Sequence, residues 1–129
     1  MKIEPNKPKA EVKTQEVSFE PFNINRAPTK IIDYAENNKS AETATLLEDG
    51  GRFWALLTRG VKPTGGYSVK VYNIKLETGE AGATRLRVLY KYTDPAPDQF
   101  VTQVLTTPVE LVRLQILKKR PDEVVFIKG

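Results

Sequence analysis

The side chains that most often perform chemistry are missing from this chain. It has no histidine and no cysteine. That removes imidazole acid–base work, histidine-activated nucleophiles and the commonest metal ligand. It also removes thiol catalysis, thiolate zinc sites, iron–sulfur clusters and disulfides. The serines are Ser18, Ser40 and Ser68, and only Ser68 has a lysine at strand spacing, Lys70. Residues two apart share a strand face, so a Ser–Lys dyad is geometrically open, as is a plain exposed polar face. A nucleophile also needs a pocket and an orienting group, and the sequence supplies no sign of either. No catalytic residue, cofactor site or metal site is expected.

Three loop segments could instead bind something. Gly60–Val69 contains Lys62, Pro63, Thr64, Gly65, Gly66, Tyr67 and Ser68. Adjacent glycines bare backbone N–H groups to an anion or an incoming chain. The segment lacks the lysine–serine ending and following helix of a phosphate loop, and Gly-Gly is first of all a turn signal. Asp94-Pro95-Ala96-Pro97-Asp98 holds two carboxylates among prolines but not the alternating ligands of a calcium loop. Phe100-Val101-Thr102-Gln103 offers an aromatic ring and an amide suited to a peptide-binding edge. Asp94, Pro95, Pro97, Val101, Thr102 and Gln103 therefore join Lys62–Ser68 as expected partner-binding residues.

These loops need a scaffold. The chain has 129 residues, 40% hydrophobic and 28% charged, which predicts one modest core. Residues 1–15 are rich in lysine and proline and read as a tail or linker, leaving 16–129 as one globular domain. No signal-peptide pattern and no membrane-length apolar run is present. The net charge of +4 is mild, and its basic residues are not interleaved with aromatics, so no nucleic-acid partner is expected.

The apolar pattern predicts a short strand at Val17–Phe19 and a helix opening at Pro28-Thr29, with Ile31, Ile32, Tyr34 and Ala35 as its apolar face. Thr43–Thr58 reads as a hairpin turning at Asp49-Gly50-Gly51. Its second strand, Phe53-Trp54-Ala55-Leu56-Leu57, is apolar throughout and is expected to be covered on both faces. Tyr67–Leu76 changes apolar parity, which predicts a bulge near Val71–Asn73. Thr84–Thr93 alternates cleanly, Val109–Lys118 reads as a further strand, and Val124–Ile127 is the last. The expected fold is a β-rich α+β domain. It is a strongly bent, mainly antiparallel sheet or partial barrel of about seven strands with one N-terminal helix, and an all-β sandwich is the alternative.

The order Gly60-x-Lys62-Pro63-Thr64-Gly65-Gly66-Tyr67-Ser68-Val69, a proline loop, Val101-Thr102-Gln103, Thr106 and Pro108, then a Val/Leu-rich strand resembles the PrcB C-terminal-domain family. The resemblance covers about residues 28–128, with Val109 standing where members often place an aromatic. It implies a non-catalytic, cofactor-free interaction domain of a bacterial exported or cell-envelope protein. The family's namesake is an accessory lipoprotein that assembles with a surface subtilisin-like protease and supports its stability. The implied partner is a protein, a protease among the candidates, with the roles of stabiliser and inhibitor both open. The alternative is a carbohydrate- or wall-polymer-binding module using Trp54, Tyr67, Tyr72 or Tyr90 as platforms. The oligomeric state is not legible.

Overall fold

A computed structural model describes residues 12–129. It contains eight strands, one 3-10 turn and one α-helix: β1 (Lys13–Glu16), β2 (Phe19–Pro21), the turn Ile24–Arg26, α1 (Thr29–Asn38), β3 (Glu42–Asp49), β4 (Arg52–Arg59), β5 (Ser68–Thr78), β6 (Thr84–Thr93), β7 (Val109–Leu114) and β8 (Glu123–Lys128). They form two four-stranded sheets, ordered β1-β5-β6-β8 and β2-β7-β4-β3. All pairings are antiparallel except β6–β8, which is parallel.

The β-rich α+β class with one early helix is thus the observed one. The single bent sheet or partial barrel is corrected to two separate, unclosed sheets, with eight strands in place of about seven. The additional strand is β1. Its four residues, KTQE, are all exposed, so an edge strand of this kind leaves no apolar periodicity to read. It starts at Lys13, inside the stretch expected to be tail; residues 1–11 lie outside the described residues.

β4 organises the molecule. Phe53, Ala55 and Leu57 face the other sheet, where they meet Val69, Val71, Ile74, Leu86 and Val88, together with Val112 and Leu114 of β7. Trp54 and Leu56 face the opposite way, under Ile31 and Ala35 of α1 and beside Leu111. Every β4 residue from Phe53 to Arg59 is buried, which is why the run lacks alternation. α1 covers this outer face through the i, i+4 pair Ile31 and Ala35. The β3–β4 hairpin closes over Gly50 (φ 63°) and Gly51 (φ 74°), the left-handed pair that a two-residue turn of matching twist requires.

The expected bulge is present: β5–β6 register shifts between Val71 and Asn73, leaving Tyr72 unpaired and exposed. β7 is likewise covered on both faces, with Val109 and Leu111 under α1 and Val112 and Leu114 toward the other sheet, so its apolar residues do not keep one parity. β7 ends at Leu114, and Gln115 N–H extends its contact with β2 by one step, donating to Ser18 O at 2.8 Å.

Glu110 of β7 reaches across the sandwich, where its carboxylate accepts the Val71 N–H at 3.0 Å, beside the bulge. Burial pushes the Glu110 carboxyl up from its ordinary value, partly offset by that N–H and by the charge of Lys70. The folded state therefore holds this proton more tightly than the unfolded chain. The group's contribution is most favourable below the unfolded value and is lost as pH rises through the folded one. Glu110→Gln is expected to keep an acceptor for Val71 while removing that acid-side slope. Urea melts of both proteins across the carboxylate titration range check this: the wild type should lose stability with rising pH relative to the variant.

Candidate protein-interaction site

The three segments singled out from the sequence lie on two loops that meet at one end of the sandwich. Loop 60–67 joins β4 to β5, and loop 94–108 joins β6 to β7. Lys62 and Thr106 form a reciprocal antiparallel bridge, with N···O distances of 2.8 and 2.9 Å. The Thr106 hydroxyl donates to Thr64 O at 2.8 Å, and Gly65 N–H donates to Thr102 O at 2.9 Å. Each loop thus satisfies backbone groups that the other would leave bare.

Gly66 marks the closest approach. Its φ is +89°, and a Cβ there would stand 2.8 Å from Pro95 Cβ and 2.9 Å from Val101 Cγ1. Neither the backbone conformation nor the space admits a side chain. At Gly65 a Cβ would meet Thr102 at ordinary contact distance, 3.5 Å. The two glycines of one motif therefore do different work: Gly66 permits the packing, while Gly65 supplies an N–H.

Arg59, the last residue of β4, holds the loop ends. Its side chain is 6% exposed. Nη1 donates to Ser68 O at 3.2 Å and Thr93 O at 3.1 Å, and pairs with Asp94 Oδ1 at 2.8 Å. Its backbone N–H donates to Pro108 O at 3.2 Å. The guanidinium carbon lies 4.0 Å from the centroid of the Tyr92 ring and 5.4 Å from that of Tyr67. All three of these side-chain polar contacts fall on Nη1, Nε is buried with no hydrogen-bond partner among the described residues, and the guanidinium plane gives the two tyrosines a stackable face. The Tyr92 hydroxyl donates to Glu42. Burial, then that bond and the carboxylate's charge, hold the phenol well above its ordinary value, so it stays a donor.

Of the expected residues, Lys62, Thr64, Gly65, Gly66, Tyr67, Ser68, Asp94, Pro95, Val101 and Thr102 belong to this junction. Pro63, Pro97 and Gln103 are exposed beside it. The sequence reading did not include Arg59. Its signal was available as a charged residue closing an all-apolar strand, but nothing local says that its charge turns inward. The Ser68–Lys70 pair is exposed on the outer face of β5, and the Ser68 carbonyl is what Arg59 engages. Trp54 is buried under α1, with its ring edge-on to Phe22 at 4.9 Å, and offers no platform.

The loop surface is unusually apolar. Exposed large apolar side chains among the described residues are Val12, Val61, Tyr72, Phe100, Val104, Leu105 and Ile116, and four of these seven lie on the two loops. Phe100 is fully exposed, at 102%. It is nonetheless held on both sides. Before it, Ala96 N–H donates to the Gln99 side chain and Gln99 N–H returns to Ala96 O, each at 3.0 Å. After it, Val101 and Thr102 are fixed against Gly66 and Gly65. Phe100 was noticed in the sequence as part of its segment but was not among the chosen contact residues.

A family model described as PrcB C-terminal matches residues 55–115. The matched stretch is of the PrcB C-terminal family. It begins within β4 and ends just past β7, so it encloses Arg59, both loops and the strands that carry them. No curated protein and no solved structure gives a match. No helix among the described residues is long and apolar enough to cross a membrane.

Two substitutions separate the roles of the paired glycines. Gly66→Ala is expected to destabilise by about 1–3 kcal/mol or more through backbone strain alone, whereas Gly65→Ala should stay within about 0.5 kcal/mol. Arg59→Ala is expected to cost about 3 kcal/mol and to speed amide exchange at Gly65, Lys62 and Thr106 together. Chemical denaturation and hydrogen-exchange NMR give both readouts.

Proposed function

We propose that this chain is a non-catalytic protein-interaction domain that docks through the paired loops 60–67 and 94–108. The observation that carries the reading is the fully exposed Phe100, on a pair of loops clamped to the sheets that also expose Val104, Leu105 and Val61. Isolated apolar residues on a surface are ordinary, but a group of them on one rigid projection marks an interaction site. An aromatic anchor whose loop is already ordered loses little entropy on binding. The partner is a protein with an apolar pocket that accepts Phe100.

The PrcB C-terminal match supports a place in a bacterial protease-associated assembly at the cell envelope or outside the cell. In that setting the domain stabilises or restrains a protease rather than cleaving anything itself. The lack of histidine and cysteine fits this role. Loops stiffened by Pro63, Pro95 and Pro97 suit either a stabiliser or an inhibitor.

A capture experiment with exported and envelope fractions tests the reading, using the domain and its Phe100→Ala variant side by side. Phe100 touches no core, so the variant should melt with the wild type while its affinity for the retained protein falls about tenfold or more. Equal retention by both would overturn the loop reading. Retention of wall polymer alone would move the assignment to a carbohydrate-binding module. Activity of a retained protease over time then separates the two roles: a longer-lived enzyme indicates a stabiliser, and a silenced one an inhibitor.

A further inference from the structure

Each sheet has two edge strands, and three of the four are guarded. β1 is four exposed polar residues, and where it stops short Glu110 takes the Val71 N–H of β5 at 3.0 Å. β2 is three residues ending in Pro21, which has no N–H to offer. β3 is longer, but Glu42 and Glu48 stand on it and Lys30 Nζ occupies the Glu48 carbonyl at 2.7 Å. Short length, prolines, charges and side-chain covers are the usual means of blocking edge pairing.

β8 has none of these along its middle. Val124-Val125-Phe126-Ile127 are β-branched or aromatic and half-buried, and among the described residues β8 pairs only with β6. Gly129 N–H donates to Tyr90 O at 2.9 Å, while Tyr90 is the register partner of Lys128. That phase turns the N–H and C=O groups of Val125 and Ile127 toward β6 and those of Val124, Phe126 and Lys128 outward. No hydrogen bond among the described residues uses the outward set.

The outward set is symmetric about Phe126. In an antiparallel ladder, residues that bond to each other stand directly opposite. A second β8 laid antiparallel, with Phe126 opposite its own copy and Val124 opposite the second copy's Lys128, meets every outward N–H with an outward C=O. A shift of one residue would set outward groups against inward ones, and a shift of two would leave some unmet. This arrangement closes under a two-fold axis, the commonest symmetry of protein dimers.

Side chains agree with that register. On the outer face of the sheet, Val125 stands opposite the second copy's Ile127 in a pair without backbone bonds, the kind that brings side chains closest. Ile127 already has Leu89 as its partner on β6, so one apolar strip crosses the seam. The ends of β8 differ in charge, with Glu123 opening it and Lys128 closing it. The basic residues before it are spent elsewhere: Lys119 Nζ rests on Gly82 O at 3.4 Å, and Arg120 pairs with Glu48 at 3.7 Å. Glu123 pairs with Arg85 at 3.2 Å, but both side chains are more than half exposed, so that pair is weak. An antiparallel copy brings Glu123 beside the second copy's Lys128, while a parallel copy aligns like charges.

We infer that β8 is a self-pairing edge, through which two copies of this chain join antiparallel and merge their β1-β5-β6-β8 sheets into one. The pairing phase, the apolar strip and the end charges are each self-complementary. This surface is distinct from the loop pair and does not depend on the reading of Phe100.

The chain has no cysteine, so introduced thiols report single contacts. Val125→Cys and Ile127→Cys are made as separate proteins. Mixed and mildly oxidised, they should form a mixed disulfide dimer about tenfold faster than either forms one alone. Sedimentation of the wild type should show monomer passing to dimer as concentration rises, with amide exchange at Val124, Phe126 and Lys128 slowing in step. Lys128→Pro removes an outward N–H that the β6–β8 ladder does not use, so it should weaken the dimer by about tenfold. Phe100→Ala should leave the dimer intact. A monomer persisting to about 1 mM, exchange slowed elsewhere, or no preference for the mixed disulfide would overturn the inference. A dimer dissolved by Phe100→Ala would overturn it in favour of the loops as the contact. Should Lys128→Pro misfold, the cross-linking and the wild-type exchange map decide.

Discussion

One buried cation ties the two loops to the scaffold. Arg59 carries a charge out of water, a costly step unless its donors are met. Here two strand-end carbonyls and a carboxylate meet Nη1 and an aromatic face lies against the guanidinium, while Nε is buried with no partner among the described residues, so part of that cost stays. Those acceptors are not arbitrary. Ser68 O is where loop 60–67 ends and Thr93 O is where loop 94–108 begins, while Arg59 itself starts the first loop and its N–H takes Pro108 O at the end of the second. One residue therefore fixes all four loop ends. Because Asp94 is largely exposed at 63%, the ion pair contributes less than the two carbonyl bonds, which are shielded from water by the same burial.

This arrangement works only because β4 does not move. A strand with one wet face could twist or slip and carry Arg59 with it. β4 is pressed between α1 and the facing sheet, with Trp54 and Leu56 on one side and Phe53, Ala55 and Leu57 on the other. A one-residue slip would exchange the helix-facing and sheet-facing sets, and so register is pinned on both faces. The rigidity of the strand passes to the guanidinium, and from there to the loops. Gly66 then lets the loops close to contact, and the Lys62–Thr106 bridge extends that contact outward. The apolar tip is thus exposed without being free.

Much of the scaffold was legible in the sequence because it rests on local pattern. The glycine pair of the first hairpin, the continuous apolar run of β4, the parity slip at Val71–Asn73 and the proline-led helix each has a local cause that a single segment displays. What was not legible depends on partners distant in sequence. β1 has no pattern, since all four side chains are exposed. Two sheets rather than one bent sheet follow from which strands pair, and β6 takes β8 in parallel across an intervening segment. At the loops, the sequence displayed both segments and their turn chemistry but not their meeting. Arg59 looked like the polar end of a strand, because inward and outward arginines have the same neighbours in the chain. Glu110 was hidden for the same reason: its acceptor role appears only once the bulge of the other sheet stands opposite it.

Tyr92 carries the order of the loops to the far edge of the other sheet. Arg59 lies over that ring at 4.0 Å and Lys128, the last residue of β8, at 4.8 Å. The C-terminal end of β8 is therefore tied to the start of loop 94–108, where Asp94 meets Arg59 at 2.8 Å. Two cations that share one aromatic face can stand close without a carboxylate between them, because the ring's negative face attracts each of them. The chain's last strand is thus anchored through the same residue that fixes the loops.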